Sequence, residues 1–393
     1  VTPTGANGDA RPDRTARLLE VGLAALLVLA PFSFGAVRPA GRLALELGAF
    51  ALLLVWLGRA SFRTTPLPPA AVRVGLVGML LLVALQALPL GAGAVGAIDP
   101  QSVALRDESR PPADARQAET RLLGVAPDRL DRPAALSLDP GASASALRTG
   151  AALAAVLLVA TTVAATCGPR RIALALLLGA AFQGLYGLLV VASGHDQIWL
   201  VPKKYFLNAA TGTFVNPNHF SCLLAMSLPC GLALVYRNAR AAAGKRRAVW
   251  LGGEGSRNWM LGLLLIVGLA GLLLSYSRAG IAFALLALAL TMIGAGRRQA
   301  WKTRLVVAVL VAAVALTPLV QLGAERLLER YADAPEELHG ARVRVWVDTI
   351  DLLRSHPWTG CGVGAFSAGY PLVRSPEIRH FFAHVHNDPL QWL

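Results

Sequence analysis

The sequence predicts an all-α polytopic membrane protein, with about nine to ten transmembrane helices and an amphipathic helix in the outer loop between the last two. Three observations carry that expectation. Of the 393 residues 55% are apolar and only 15% charged, and the mean hydropathy is +0.54, outside the range of an ordinary soluble domain. Apolar runs long enough to cross a bilayer recur along the chain, without the dyad alternation of barrel strands. The basic residues, finally, crowd every second connection between those runs. The net charge of +14 therefore records orientation, with the amino terminus cytoplasmic, and not a nucleic-acid partner.

Taken in order, apolar runs fall near 18–30, 43–57, 72–88, 150–166, 172–192, 220–236, 259–276, 279–296 and 305–322. The first, led by Arg11, Arg14 and Arg17, has the outline of a secretory signal, but a second run follows at once, so a retained span is expected. Inside connections hold Arg59, Arg63 and Arg73, then Arg170 and Arg171, then the Arg237 to Arg257 group, then Arg297 to Arg304, with few acids. Two long outer segments, 90–148 and 323–389, instead mix Arg with Asp and Glu. The first is rich in Pro, Ala, Asp and Arg and is expected to be an irregular or partly helical cap. The second contains ARVRVWVDTIDLLRSHPWTGCGVGAF, where Val345, Trp346, Thr349, Ile350 and Leu353 recur at helical spacing, opposite Arg344, Asp348 and Asp351. That pattern predicts an amphipathic helix on the outer membrane surface, ended by Pro357 and the glycines after it. Residues 1–393 are expected to form a single membrane domain, and the apolar run from Pro389 resembles the start of a tenth span, so the chain is expected to continue. Four scattered cysteines suggest neither a disulfide framework nor a zinc site.

Four polar constellations fall on the outer face. SYSRAG places Ser277 and Arg278 between two apolar runs with almost no loop. An arginine at a helix end ordinarily snorkels to the headgroups. Here it stands on the side where positive charge is disfavoured, which points to function. On the surface helix Arg342 shares the face of Trp346, whereas Arg344 can pair with Asp348 four residues on, so Arg342 is the stronger candidate. TGTFVNPNHF brings Asn218, expected near the N-cap, and His219 into a turn entering a helix; capping alone explains much of it, and contact with sugar hydroxyls is the functional reading. In HVHND, His384, His386 and Asp388 alternate. A metal site is disfavoured, because the segment leads into a helix and no carboxylate-rich partner accompanies it. Interfacial hydrogen bonding and acid–base catalysis both remain open for the histidines, with Asn387 and Asp388 able to orient an imidazole.

These residues sit in seven ordered motifs: PFSFGAVRPAGRLALELGAF, LQALPLG, SLDPGAS, GTFVNPNHFSCLLAM, LLLSYSRAGIAFAL, the surface-helix segment and HVHNDPLQWL. Together they resemble the O-antigen ligase and polymerase superfamily of bacterial inner-membrane glycosyltransferases. The resemblance implies metal-independent, cofactor-free transfer of a glycan from an undecaprenyl-diphosphate carrier to an acceptor hydroxyl at the periplasmic face. The acceptor would be lipid A core, a growing polysaccharide or a protein. It implies catalytic roles for Arg278, Arg342 and His386, with Asn218, His219, Ser277, His384, Asn387 and Trp346 about the substrate. Many relatives carry a basic residue in place of Pro217. A ligase, a repeat-unit polymerase and a protein O-oligosaccharyltransferase are alternatives within this resemblance. A lipid-linked glycan transporter is the alternative from another class, disfavoured because the spans carry few charges beyond Glu20 and Glu46.

Overall fold

In a computed structural model the described residues are 12–108, 112–124, 134–242, 253–294, 336–378, 381–382 and 384–385. Among them seven helices are long and apolar enough to cross a membrane, as expected of a polytopic membrane protein, and an eighth apolar helix has 17 residues. The expected ninth span at 305–322 and the run from Pro389 lie outside the described residues. Among the described residues the regular structure is helical apart from one hairpin of two-residue strands. It divides into two compact units, one built from the stretches up to Pro68 and from Ala155 to Leu328, the other from Pro69–Ala154 and Glu329–Leu393.

The first unit begins with α1 (Arg14–Leu29), capped by Asp13, whose carboxylate accepts from the Ala16 N–H at 2.7 Å. Pro31 and two short 3-10 turns reverse the chain into α2 (Pro39–Ala60), with proline at its amino end where a missing N–H costs nothing. The second half of α7 (Pro140–Thr166) packs Val159 and Val163 against Leu19, Leu23, Leu52 and Trp56, and the Trp56 indole donates to Thr162 Oγ1 at 2.8 Å. Then follow α8 (Arg170–Ser193), the hairpin β1 (Gln197–Ile198) and β2 (Val201–Pro202), α9 (Pro217–Ala242), α10 (Gly253–Leu274) and α11 (Arg278–Gly294). Phe220, Leu224, Leu228, Leu272 and Ala284 form the centre of this bundle. Where α8 and α10 cross, a Cβ added to Gly271 would sit 2.7 Å from the Gly184 Cα. Two facing glycines thus let the backbones touch, the usual way of bringing helices together when lipid supplies no hydrophobic drive. At one end of the unit buried Glu20 accepts from Arg171 at 2.7 Å, and Asp13 from Arg59 at 3.2 Å. The ends of α8 and α10 and the starts of α9 and α11 lie at the other.

The second unit contains α3 (Ala70–Ala87), α4 (Ala92–Ile98), α5 (Pro100–Glu108), α6 (Ala113–Leu123), the first half of α7, α12 (Glu336–Ser355) and the short α13 (Phe366–Gly369). The first outer segment is thus largely helical, and α7 starts ten residues before the apolar run, because Asp139 caps it through the Ala142 N–H at 2.9 Å. The expected amphipathic helix is α12, but its buried face is rotated from the apolar pattern. Val345, Asp348, Thr349 and Leu352 are buried and Ile350 is exposed. Asp348 is turned inward because it accepts from Ser375 N at 3.0 Å, Ser375 Oγ at 2.6 Å and the Tyr370 hydroxyl at 3.1 Å. Its pairing with Arg344 is only a 4.0 Å contact beside those bonds. The Tyr370 phenol, buried and donating to that carboxylate, is pushed up to about 12. Val345, Leu352, Phe366, Tyr370, Phe382 and Val385 make the core under α12.

Candidate functional site

The motifs singled out in the sequence are hydrogen-bonded knots, one group in each unit. In the first unit the knot is built around Ser277. The chain leaves α10 through Ser275, whose hydroxyl donates to Leu272 O at 2.6 Å, and Tyr276, which takes a left-handed φ of 54°. Ser277 then caps α11: its Oγ accepts from the Gly280 N–H at 3.2 Å, and its carbonyl accepts from the Ile281 N–H at 2.9 Å. The same hydroxyl donates to Asn218 Oδ1 at 2.8 Å. Arg278 is therefore the first residue of α11, exposed, immediately after a buried cap.

Asn218 lies near the cap of its helix, as expected, without being the cap itself. The cap of α9 is Asn216, whose Oδ1 accepts from the Asn218 N–H at 2.8 Å, and Pro217 opens the helix. Asn218 sits one position further in and serves as the acceptor that holds Ser277, while its carbonyl accepts from Ser221 Oγ at 2.9 Å. Gly280 is required here, since a Cβ on it would collide with the Ser221 hydroxyl. His219, next along, is exposed in the first turn of α9. Further back in the same motif, Thr213 donates its hydroxyl to Pro31 O at 2.7 Å, and its N–H donates to Gln183 Oε1 at 2.8 Å. Phe214 lies against Gly35, so the PFSFGAV motif closes on the same knot. Gln183 was not legible as a member, because its partner Thr213 lies 30 residues away.

Electrostatically this end of the unit is positive. Two helices, α9 and α11, begin within one hydrogen bond of each other, so their positive dipole ends add to the charge of the Arg278 guanidinium. Placing a cation at the first position of a helix opposes the dipole. Such an arrangement suits an anion with several oxygens.

In the second unit three further motifs join. Gln86 of LQALPLG grips the glycine loop after α12 at two points, its Nε2 donating to Thr359 O at 2.8 Å and its Oε1 accepting from the Val363 N–H at 3.1 Å. SLDPGAS supplies Ser143, which donates to Val363 O at 2.8 Å, and the Leu138 N–H, which donates to Cys361 O at 3.0 Å. Gly362, with φ of 100°, passes so close to Ser137 that a side chain has no room. Cys361 is half-buried in this knot, and desolvation pushes its thiol up to about 11. Beside it His356 Nδ1 lies 2.8 Å from Asp99 Oδ2, which also accepts from Ser102 Oγ at 2.5 Å. Burial alone would raise the Asp99 carboxyl, but the bonds from Ser102 and His356 outweigh it and leave it below the ordinary range.

Trp346 is half-buried, and its indole donates to Val385 O at 3.1 Å, tying α12 to the HVHND segment next to exposed His384. Arg342 belongs to α12, one turn before Trp346. Its side chain lies outside the described residues, as do His386 and Asn387. Asn218, Ser277 and Arg278 are thus brought together, with His219 adjacent, and Trp346 is brought to the backbone beside His384. Among the described residues no three His, Cys, Asp or Glu side chains gather.

No curated protein and no solved structure matches the chain. Residues 263–393 match the family model Wzy_C, described as O-Antigen ligase. The resemblance read from the sequence holds over that stretch, which contains α11, α12 and the HVHND segment, and the match supports a membrane glycan-transferring enzyme of the ligase and polymerase type.

Proposed function

We propose that this protein is a metal-independent, inverting glycosyltransferase of the bacterial inner membrane, moving a glycan from undecaprenyl diphosphate to an acceptor hydroxyl at the periplasmic face. The observation that carries the reading is the Ser277 cap, which presents Arg278 where two helix amino termini converge. As the glycosidic bond breaks, its electron pair stays on the diphosphate oxygen. A guanidinium accepts that growing charge in a bidentate contact and never titrates. Arg278 and Arg342 would supply what a divalent cation supplies elsewhere, in surroundings partly cleared of water where fixed charge counts for more than in bulk. The acceptor oxygen attacks the anomeric carbon from the opposite side and its proton passes to the His386 imidazole. Atoms balance as one C–O bond formed, one broken and one proton transferred, with the configuration inverted. Asn218 and Ser277 act here as positioning residues behind Arg278, and Trp346 as the residue that seats the histidine segment.

Purified protein in nanodiscs, given a polyprenyl-diphosphate-linked glycan and candidate acceptors, tests this reading. Transfer is expected to continue in EDTA. Strict dependence on added Mg²⁺ or Mn²⁺ would remove the metal-independent mechanism. Mass spectrometry of the product distinguishes lipid A core, a longer polysaccharide and a glycosylated protein as acceptors.

A further inference from the structure

Between α8 and α9 the first unit carries a segment that the chemistry at Arg278 does not use. Its hairpin has a two-residue turn, Trp199 and Leu200, with Trp199 at φ of 56°, a position where glycine is usual. The polar groups at the base of the hairpin are satisfied internally. Asp196 accepts from the Asn208 N–H at 2.9 Å and from Lys203 Nζ at 3.5 Å, and Lys203 also donates to Ala209 O at 2.8 Å. The Lys203 side chain is only 3% exposed, and burial lowers its ammonium below the ordinary range despite Asp196. What the hairpin shows outward is apolar: Leu200 is 91% exposed, Tyr205 72% and Phe206 45%, with Trp199, Val201 and Leu207 also exposed.

The turn does not project away from the bundle. The Trp199 N–H donates to the Tyr186 hydroxyl at 2.6 Å, and its indole to Phe32 O at 2.9 Å. Tyr186 lies two turns before the end of α8, a spanning helix, so the turn folds back by about 10 Å along it. Trp199 continues a ring stack through Phe32 to Phe182, at centroid separations of 6.0 and 4.6 Å. Phe182 is itself an exposed side chain of that long apolar helix, so the apolar surface of the hairpin is continuous with the exposed apolar surface of α8.

We propose that residues 197–207 form an interfacial hairpin, with Leu200, Tyr205 and Phe206 buried in the lipid leaflet at the end of the bundle that carries Arg278. Exposed apolar side chains this closely grouped mark a contact surface. Bonding the turn's N–H and indole to Tyr186 and Phe32 is what a backbone entering hydrocarbon needs. Lys204, exposed beside the apolar group, reaches the phosphate level in the way interfacial lysines do. The hairpin leads directly into Thr213 and Asn216 to Asn218, so its immersion sets the height of Arg278 relative to the lipid phosphates.

The test is nitroxide labelling of Leu200→Cys, Phe206→Cys and His195→Cys, each in a background with the four native cysteines replaced. Collision with oxygen and with a nickel chelate is measured after reconstitution into vesicles of phosphatidylethanolamine and phosphatidylglycerol. The oxygen-to-nickel ratio is expected to be several-fold higher at 200 and 206 than at 195. Nickel access at 200 and 206 equal to that at 195 overturns the proposal, as does exclusion of both reagents there, which would mean that protein covers the hairpin. A second arm leaves the cysteines in place. Brominated-lipid quenching of tryptophan emission is expected to be stronger in the wild type than in Trp199→Phe, and equal quenching overturns the proposal.

Discussion

Arg278 is the residue on which the proposed chemistry turns, and its neighbours show how the backbone that carries it is held. Ser277 spends its hydroxyl twice, accepting from Gly280 and donating to Asn218, so the residue after it has little freedom in backbone direction. Arg278→Lys keeps the charge but loses the fork. It is expected to lower kcat/KM about 10- to 100-fold in a transfer assay while leaving the thermal midpoint unchanged. Ser277→Ala is expected to cost about 1 kcal/mol in stability through the lost cap. It should also lower kcat, with Asn218→Ala reproducing the kinetic loss; full activity in both variants would reduce the knot to a structural one. Arg278 stood out in the sequence because SYSRAG interrupts two apolar runs on the side expected to face outward, where arginine is disfavoured. The role of Asn218 did not, because its partner lies 59 residues away and a turn-and-cap reading accounted for its composition. Trp346 was legible as a residue on the right face of its helix, but that its indole holds Val385 O is a fact of tertiary structure.

At the scale of elements, seven of the nine expected spans are described helices long and apolar enough to cross a membrane, since lipid demands that length of any crossing helix. The eighth is a shorter apolar helix of 17 residues. The face of α12 was read with an error that has a physical source. Periodicity counts Asp348 as solvated, but a carboxylate given a phenol, a hydroxyl and a backbone N–H can be buried, and the helix rotates accordingly. The same blindness hid the Asp99 and His356 pair, whose members stand 257 residues apart. Because the Asp99 carboxyl is held below its ordinary value, the stability it contributes is fully present above pH of about 4. That contribution is lost as pH falls through its lower folded value. Asp99→Asn is expected to lower the thermal midpoint at pH 7 by removing charge-assisted bonds of about 2–3 kcal/mol in total. The difference from wild type should shrink as the pH is taken below 4; a difference constant with pH would contradict this. Cys361, half-buried in the neighbouring knot and raised to about 11, is expected to react with maleimide at pH 7 much more slowly in the folded protein than once the protein is denatured in SDS.

Over the whole molecule, the polar motifs of the sequence sort into two knots, each internal to a compact unit. In the first, residues from Pro31 to Gly280 fix Arg278; in the second, Gln86, Ser137, Ser143 and the glycine loop fix the segment that follows α12. Much of the motif composition among the described residues is thus scaffold, hydrogen-bonded within each unit around the few groups proposed to react. The most direct measurement of the proposed chemistry is the single-turnover rate of glycan transfer from a polyprenyl-diphosphate donor, in EDTA, for wild type, Arg278→Lys and His386→Ala. The account predicts that His386→Ala still binds the donor but transfers at least about 100-fold more slowly, as loss of a general base requires, and that Arg278→Lys is slowed as well. Transfer by either variant at the wild-type rate would contradict it.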